Sequence, residues 1–136
     1  CALPISTGTM LVGADIAAVS TVVQSLGVPL MGLNCAAGPQ EMGEHFKWLI
    51  DNWPGLVSIQ PNAGLPELVD GKTRYPLLPA ELAVWHERFI AQGANLIGGC
   101  CGTTPDHIKH IAEHVRAISP RPLPVVLNTL QETEEA

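Results

Sequence analysis

Positive charge is scarce in this 136-residue chain, which has seven lysines and arginines against thirteen aspartates and glutamates, for a net charge of −6 at pH 7. That balance argues against nucleic acid as the main partner, because phosphate backbones are bound by clustered cations. No apolar run approaches the roughly 18 residues that a membrane span needs. No basic segment precedes a long apolar one, as an export signal requires. We therefore expect a cytoplasmic protein without nucleic-acid or membrane partners.

Cysteine is sparse as well, since the chain has only Cys1, Cys35, Cys100 and Cys101. Four cysteines are too few for a disulfide scaffold of this length. Two of them are adjacent, and a disulfide between neighbours would strain the peptide that joins them. Metal binding or thiol chemistry is the better interpretation. Because the first residue is not methionine, we expect a fragment or a processed product.

Hydrophobic periodicity predicts helices that alternate with short buried strands. The predicted helices begin near Asp15, Pro39, Pro79 and Pro105, and the predicted strands cover residues 30–35, 56–60 and 95–97, with a strand remnant at 1–5, a loop over 65–78 and a turn at Asp70-Gly71. Such alternation implies parallel strands with helical crossovers. Three clear strands cannot close a barrel, so they belong either to an open sheet or to a longer barrel.

Chemically useful side chains follow three successive predicted strands. Cys35 ends one strand, Asn62 follows the next, and Cys100 with Cys101 follows the third. In a parallel sheet the carboxyl ends lie on one side, so three thiols and an amide are expected to converge. Three sulfurs and one open position describe a catalytic zinc site better than a closed structural one.

A competing interpretation applies to each cysteine. Cys35 alone is more often a small core residue than a ligand. Side chains alternate along a strand, so Cys100 and Cys101 face one site only if the strand is distorted there. The preceding Gly98-Gly99 pair favours such a distortion, because glycine permits backbone conformations that other residues avoid.

The histidines and tryptophans have structural interpretations. We expect a partly solvated helix face for His107, His110 and His114, helix-surface positions for His45 and His86, packing roles for Trp48, Trp53 and Trp85, and a core face on the last helix made of Ile108, Ile111, Ala112 and Val115. No phosphate-loop lysine accompanies the glycines, so a nucleotide site is not expected.

Three segments together resemble one enzyme family. They are Gly32-Leu33-Asn34-Cys35, Pro61-Asn62-Ala63-Gly64 and Gly98-Gly99-Cys100-Cys101-Gly102-Thr103-Thr104-Pro105, in this order and separation. This arrangement resembles the homocysteine S-methyltransferase family, and most closely the homocysteine-binding module of its cobalamin-dependent branch. The resemblance covers about residues 8–117.

The resemblance implies an α/β fold, the C-terminal part of a (β/α)8 TIM barrel, with zinc at the carboxyl ends of the strands. It implies that Cys35, Cys100 and Cys101 are the metal ligands and that Asn62 belongs to the substrate-binding site beside the open position. It further implies methyl transfer to the homocysteine thiol, giving methionine. The methyl donor would be methylcobalamin, held on a cobalamin-binding module and recharged on a folate-binding module of the same enzyme.

The family barrel has eight strands, and this chain is expected to begin near the end of the fifth. Residues 1–118 would form the partial barrel domain, and residues 119–136, proline-rich and then acidic, a linker or tail. The isolated fragment is expected to be inactive. Two alternatives remain open: a cobalamin-independent homocysteine methyltransferase that uses betaine or S-methylmethionine, and a non-catalytic thiol- or metal-binding fragment.

Overall fold

A computed structural model describes residues 15–122. Its elements in chain order are α1 (Ile16–Ser25), β1 (Leu30–Asn34), α2 (Pro39–Asn52), β2 (Leu56–Gln60), β3 (Glu67–Val69), β4 (Lys72–Arg74), α3 (Pro79–Gln92), β5 (Leu96–Ile97) and α4 (Pro105–Val115). The predicted strand remnant at 1–5, Cys1 and most of the predicted linker lie outside the described residues. None of the helices between residues 15 and 122 is long and apolar enough to cross a membrane.

Three strands form a parallel sheet in the order β1-β2-β5. Leu30 lies opposite Leu56, and Ser58 lies opposite Leu96. The predicted alternation of parallel strands with helices is therefore confirmed. Because the strands are parallel, their carboxyl ends share one edge of the sheet, and that edge carries the loops that hold the candidate site.

The helices begin at residues that suit a helix N-terminus. The carboxylate of Asp15 accepts a hydrogen bond of 2.8 Å from the amide of Ala18 and so caps α1. The other three helices each begin with proline, which fits the first turn because its missing N–H has no partner there. Thr104 caps α4, as the sequence predicts. Gly93, with φ of 125°, ends α3.

The main core lies between the sheet and helices α2 and α3. Its fully buried members include Met42, Phe46 and Leu49 on α2, which packs this face against the strands. Phe46 meets Phe89 of α3 edge to face, with 4.9 Å between ring centroids. Each such buried side chain contributes about 1.5–3 kcal/mol to folding. The predicted apolar stripe of α2 thus packs against β1 and β2 in the core.

The segment over residues 65–78, predicted as a loop, contains an antiparallel hairpin of β3 and β4. The turn predicted at Asp70-Gly71 is confirmed, and both residues have positive φ, 51° and 74°. The strands escaped prediction because all of their residues are exposed. A strand with no buried face has no apolar alternation for the sequence to display.

The predicted core face of α4 is partly wrong. Ile111 is buried and Val115 half-buried, but Ala112 is exposed and Ile108 is 46% exposed. The helix packs on α3 through fewer residues than predicted. His107 is buried where the sequence predicted a buried Ile108. A row of residues four apart faces one neighbour on a helix. In that row, Ile111 and Val115 pack with Leu82 and Ala83 of α3, while His107 bonds to the Leu77 carbonyl ahead of α3.

Candidate metal centre

Three thiols meet at the carboxyl edge of the sheet. The sulfurs of Cys35, Cys100 and Cys101 all lie within 4.8 Å of one another, and the sulfurs of Cys35 and Cys101 are 3.7 Å apart. Cys35 follows β1, and the adjacent pair follows β5. Cys35 and Cys100 are half-buried and Cys101 is exposed. The cluster is therefore partly buried, and its Cys101 side is open to solvent.

Cys35 is presented by an unusual stretch of backbone. Cys35 and Ala36 have φ of 60° and 62°, in the left-handed region. For a residue other than glycine this conformation costs roughly 1–2 kcal/mol. It is held by two backbone hydrogen bonds, from the Cys35 amide to the Gln60 carbonyl (3.0 Å) and from the Ala37 amide to the Cys35 carbonyl (2.7 Å). The strain is concentrated at a residue that carries a site thiol.

Cys100 and Cys101 occupy the first two positions of a tight turn. The Thr103 amide donates to the Cys100 carbonyl at 3.2 Å, and Gly102 has φ of 79°. Glycine is the residue that the third position of such a turn requires. The predicted distortion is thus a turn, and Gly102 rather than the preceding glycine pair makes it. Since the two cysteines are no longer on a strand, their side chains need not point to opposite faces.

Asn62 braces the two cysteine-bearing loops. Its side chain is 3% exposed, and its oxygen accepts a hydrogen bond of 3.1 Å from the Cys101 amide. The backbone amide of Asn62 donates to the Ala37 carbonyl at 3.0 Å, and the backbone amide of Ala63 donates to the Cys101 carbonyl at 2.9 Å. The predicted substrate-binding residue therefore lies at the site, between the loops that it joins.

The thiols of Cys35 and Cys100 have pKa values shifted in opposite directions. The pKa of Cys35 is lowered from its ordinary value, chiefly by the backbone hydrogen bond from Ala36 and further by Cys100, Cys101 and Asn62. The pKa of Cys100 is raised, first by burial and then by the neighbouring Cys35. Cys35 is accordingly the first of these two thiols to lose its proton. A nearby cation would favour the ionised form of both thiols, because opposite charges attract.

Tyr75, which the sequence analysis did not single out, also lies at the cluster. It follows β4, and its ring fills the space that a side chain on Gly102 would need. The pKa of Tyr75 is raised, first by its hydrogen bond with Cys101 and then by burial and the charges of the cysteines. Nothing in the sequence spacing links Tyr75 to the cysteines, because the hairpin that brings it there has no apolar pattern.

His107 fastens the loop that carries Tyr75, which corrects its predicted place on a solvated face. The side chain is 7% exposed. Its Nε2 donates to the Leu77 carbonyl at 2.7 Å, and its Nδ1 accepts from the Thr104 amide at 3.2 Å. His110 is half-buried and His114 is exposed, as expected of that face.

His86 is another correction, because it is completely buried rather than on the helix surface. Neither ring nitrogen has a hydrogen-bond partner. The pKa of His86 falls to about 4, mainly because burial penalises the charged ring, while the Gly98 backbone acts in the opposite direction. The sequence indicates this burial: His86 lies four residues after Leu82 and three before Phe89, on the apolar side of α3.

The tryptophans have the packing roles predicted for them. Trp53 is buried, and Trp48 and Trp85 pack on the core.

The thiol cluster fits zinc. A tetrahedral zinc ion with Zn–S bonds of roughly 2.3 Å separates its sulfur ligands by roughly 3.8 Å, close to the 3.7 Å between Cys35 and Cys101. Thiols are poor ligands for calcium and magnesium, which take oxygen. Three sulfurs with one open side define the class: an α/β protein with a thiol-rich centre at the carboxyl edge of a parallel sheet.

Comparison with known proteins makes the assignment specific. The family model of homocysteine S-methyltransferase matches residues 2–115. The chain therefore belongs to the homocysteine S-methyltransferase family, and the resemblance expected from the sequence is confirmed.

Two curated relatives are methionine synthases. That of Mycobacterium tuberculosis (strain ATCC 25618 / H37Rv) is 53% identical over 114 residues, 83% of this chain and 10% of the relative. That of Mycobacterium leprae (strain TN) is 52% identical over 111 residues, 81% of this chain and 9% of the relative. The chain thus spans about a tenth of the length of these relatives.

A solved structure is similar over most of the chain. The homocysteine methyltransferase MmuM from Escherichia coli, in its oxidised form, superposes with a TM-score of 0.57 and 26% identity. The match covers 82% of this chain and 33% of that protein.

Proposed function

We propose that this chain takes part in zinc-dependent methyl transfer to the homocysteine thiol, giving methionine, as part of a methionine synthase. The observation that carries the proposal is the trio of sulfurs of Cys35, Cys100 and Cys101, within 4.8 Å of one another. These three residues would hold the metal. Zinc bound there would supply the Lewis acidity that keeps a substrate thiol ionised at neutral pH.

The residues of the chain determine how reactive that substrate sulfur is. Three ionised cysteines carry more negative charge than a divalent ion neutralises, so a substrate sulfur beside them stays electron-rich. That sulfur forms the new bond to the methyl carbon, while the bond from methyl to donor breaks and leaves its electron pair on the donor. Asn62 would hold the loops of Cys35 and Cys101 in place through the hydrogen bonds described above, at the open side where homocysteine would bind.

The fold in which this happens would be a (β/α)8 barrel, of which the chain supplies the C-terminal part. The parallel order of β1, β2 and β5 and the similarity to MmuM support that proposal. Residues 1–118 would then be the partial barrel and residues 119–136 a linker. Because the remaining strands would complete the substrate pocket, we expect the chain alone to be inactive in methyl transfer.

Methylcobalamin is the donor that we propose, with the cobalamin-binding and folate-binding modules of the same enzyme as partners. Identity of 53% to a methionine synthase, against 26% to MmuM, supports this branch over a cobalamin-independent one that uses betaine or S-methylmethionine. Methyl-transfer assays with each donor, on a longer protein that contains this chain, would distinguish the branches.

Zinc content and sulfur coordination of the reduced protein, with and without homocysteine, test the proposal directly. We expect about one zinc ion per chain, with three sulfur neighbours that become four when homocysteine is added. A chain that retains no zinc would contradict the proposal. Zinc that never gains the fourth sulfur would favour the non-catalytic alternative, a thiol- or metal-binding fragment.

Cysteine-to-serine variants test the ligand assignment. We expect Cys35→Ser, Cys100→Ser and Cys101→Ser each to weaken zinc binding by more than about 100-fold, since serine is a much poorer ligand for zinc than a thiolate. Cys1→Ser is the matched control and should bind zinc as the parent does. Equal behaviour of all four variants in a chelator competition would show the assignment to be wrong.

A further inference from the structure

The loop that follows β4 lies across the turn that carries two of the three thiols. Its first residue, Tyr75, is half-buried and is the only tyrosine of the chain. The three atoms nearest to the place that a side-chain carbon on Gly102 would take are Cγ, Cβ and Cδ2 of Tyr75, the last at 2.8 Å. Because Gly102 directly follows Cys101, the ring of Tyr75 packs on the backbone of the cysteine turn. The proposed chemistry gives this contact no role.

Hydrogen bonds fasten the loop of Tyr75 to its surroundings, so the ring has a fixed place. The Leu77 amide donates to the Ala63 carbonyl at 2.9 Å, and the Ala63 amide donates to the Cys101 carbonyl at 2.9 Å. Ala63 thus bridges the loop and the cysteine turn. On the other side, the Leu77 carbonyl accepts from the ring of His107 at 2.7 Å.

The cysteine turn needs such a contact because its third position is glycine. Gly102 has φ of 79°, which glycine adopts without strain, but glycine also has more backbone freedom to lose than any other residue. Cys101 is exposed, so burial in the core does not hold its side chain. The ring of Tyr75 fills the space beside Gly102 and blocks any movement of the turn towards the loop.

We propose that Tyr75 is a positioning residue of the thiol cluster, whose ring holds the turn at Gly102 in the conformation that brings Cys100 and Cys101 to Cys35. The ring acts through packing and is not a metal ligand. A ligand set that is already ordered loses less conformational freedom when a metal binds, so its affinity is higher. This inference rests on the proposed zinc site, and it adds a residue outside the ligand set.

Two substitutions at this position separate the ring from its hydroxyl group. Tyr75→Ala removes the ring, whereas Tyr75→Phe keeps it and removes only the hydroxyl group. We expect Tyr75→Ala to weaken zinc binding by about 10- to 100-fold, the usual effect of losing a residue that supports metal ligands, and Tyr75→Phe to keep most of the affinity of the parent. A Tyr75→Phe protein that binds zinc as weakly as Tyr75→Ala would show that packing of the ring is not what holds the turn.

Trp85→Ala is the matched control for the loss of an aromatic side chain. Trp85 is also half-buried, but it lies on α3 and packs on the main core. We expect Trp85→Ala to bind zinc as the parent does. An equal loss of zinc affinity in Trp85→Ala and Tyr75→Ala would mean that general loosening of the fold, and not the contact with Gly102, weakens the site.

A spectroscopic measurement distinguishes positioning from mere structural support. In the cobalt-substituted protein, the thiolate-to-cobalt and ligand-field absorption bands should shift in Tyr75→Ala and stay close to those of the parent in Tyr75→Phe and Trp85→Ala. A ring that only stabilises the fold would instead lower the unfolding temperature in Tyr75→Ala and leave the cobalt bands unchanged, which would contradict the proposal.

A second measurement needs no folded Tyr75→Ala variant. Because the chain has one tyrosine, the parent labelled with ¹³C-tyrosine gives a single set of ring signals. These should show a nuclear Overhauser effect to the α-protons of Gly102 and should shift when zinc is added. A missing effect, or ring signals that do not respond to zinc, overturns the proposal. A parent that binds no zinc overturns the proposed function and this inference with it, whereas zinc binding that is indifferent to residue 75 overturns this inference alone.

Discussion

Gly102→Ala would disturb the cysteine turn in two ways. Gly102 has φ of 79°, a conformation that costs a residue with a side chain roughly 1–2 kcal/mol. The added methyl group would also overlap the ring of Tyr75. Overpacking of this kind costs about 1–3 kcal/mol. We therefore expect Gly102→Ala to lower the free energy of unfolding by about 2–5 kcal/mol.

Gly71→Ala is a matched control for the backbone contribution. Gly71 has φ of 74°, and nothing lies within 4 Å of an added Cβ. This variant should lose only the roughly 1–2 kcal/mol of the left-handed conformation. The difference between the two variants measures the contact with Tyr75. Urea unfolding, with the chain reduced and metal-free, gives both values.

A double-mutant cycle locates the contact. In a Tyr75→Ala background the overlap is removed, so Gly102→Ala and Gly71→Ala should cost about the same free energy of unfolding. If the two glycine variants are already equally stable in the parent background, Tyr75 does not pack on the turn as described. If they still differ in the Tyr75→Ala background, a group other than Tyr75 fills that space.

Three further changes test other parts of the structure. Asn62→Ala leaves the partly buried Cys101 amide without its acceptor and should lower the free energy of unfolding by about 1–3 kcal/mol; an unaltered urea midpoint would contradict the bracing role. Phe46→Ala should lose about 3–5 kcal/mol by opening a cavity, whereas Val22→Ala, at a position 59% exposed, should change stability by less than about 0.5 kcal/mol. The pKa of His86 is depressed from 6.5 to about 4 in the fold. The stability that the protein has with a neutral His86 is therefore fully present above pH 6.5 and is lost as the pH falls towards 4. The loss should total about 3 kcal/mol, and His86→Leu should flatten this part of the stability profile.

The sequence predicted the sheet and its helices because both have a buried face. Apolar residues at helical spacing marked α2 and α3, and short apolar runs marked the three parallel strands. The same reasoning failed for the hairpin of β3 and β4, whose residues are all exposed. It also misplaced Ile108, since periodicity gives the direction of an apolar face but not how wide a contact the neighbouring helix makes.

The cluster was predictable as far as strand topology determines it. Parallel strands put Cys35, Asn62 and the adjacent cysteines at one edge, and the structure has them there. The conformation that lets two neighbouring cysteines face one point depends on the turn at Gly102, which spacing alone does not specify. Tyr75 reaches the cluster through tertiary packing, so no local sequence pattern predicts its position there.

The left-handed residues at Cys35-Ala36 and the hydrogen bonds around Asn62 connect the loops that carry the three sulfurs. Many small zinc domains are unfolded until the ion arrives, and the ion then provides their folding free energy. Because these backbone contacts hold the ligand loops together, we expect metal loading to proceed as entry into a largely rigid receptor. Its calorimetric signature should be a small change in heat capacity, with a far-ultraviolet spectrum that is the same before and after.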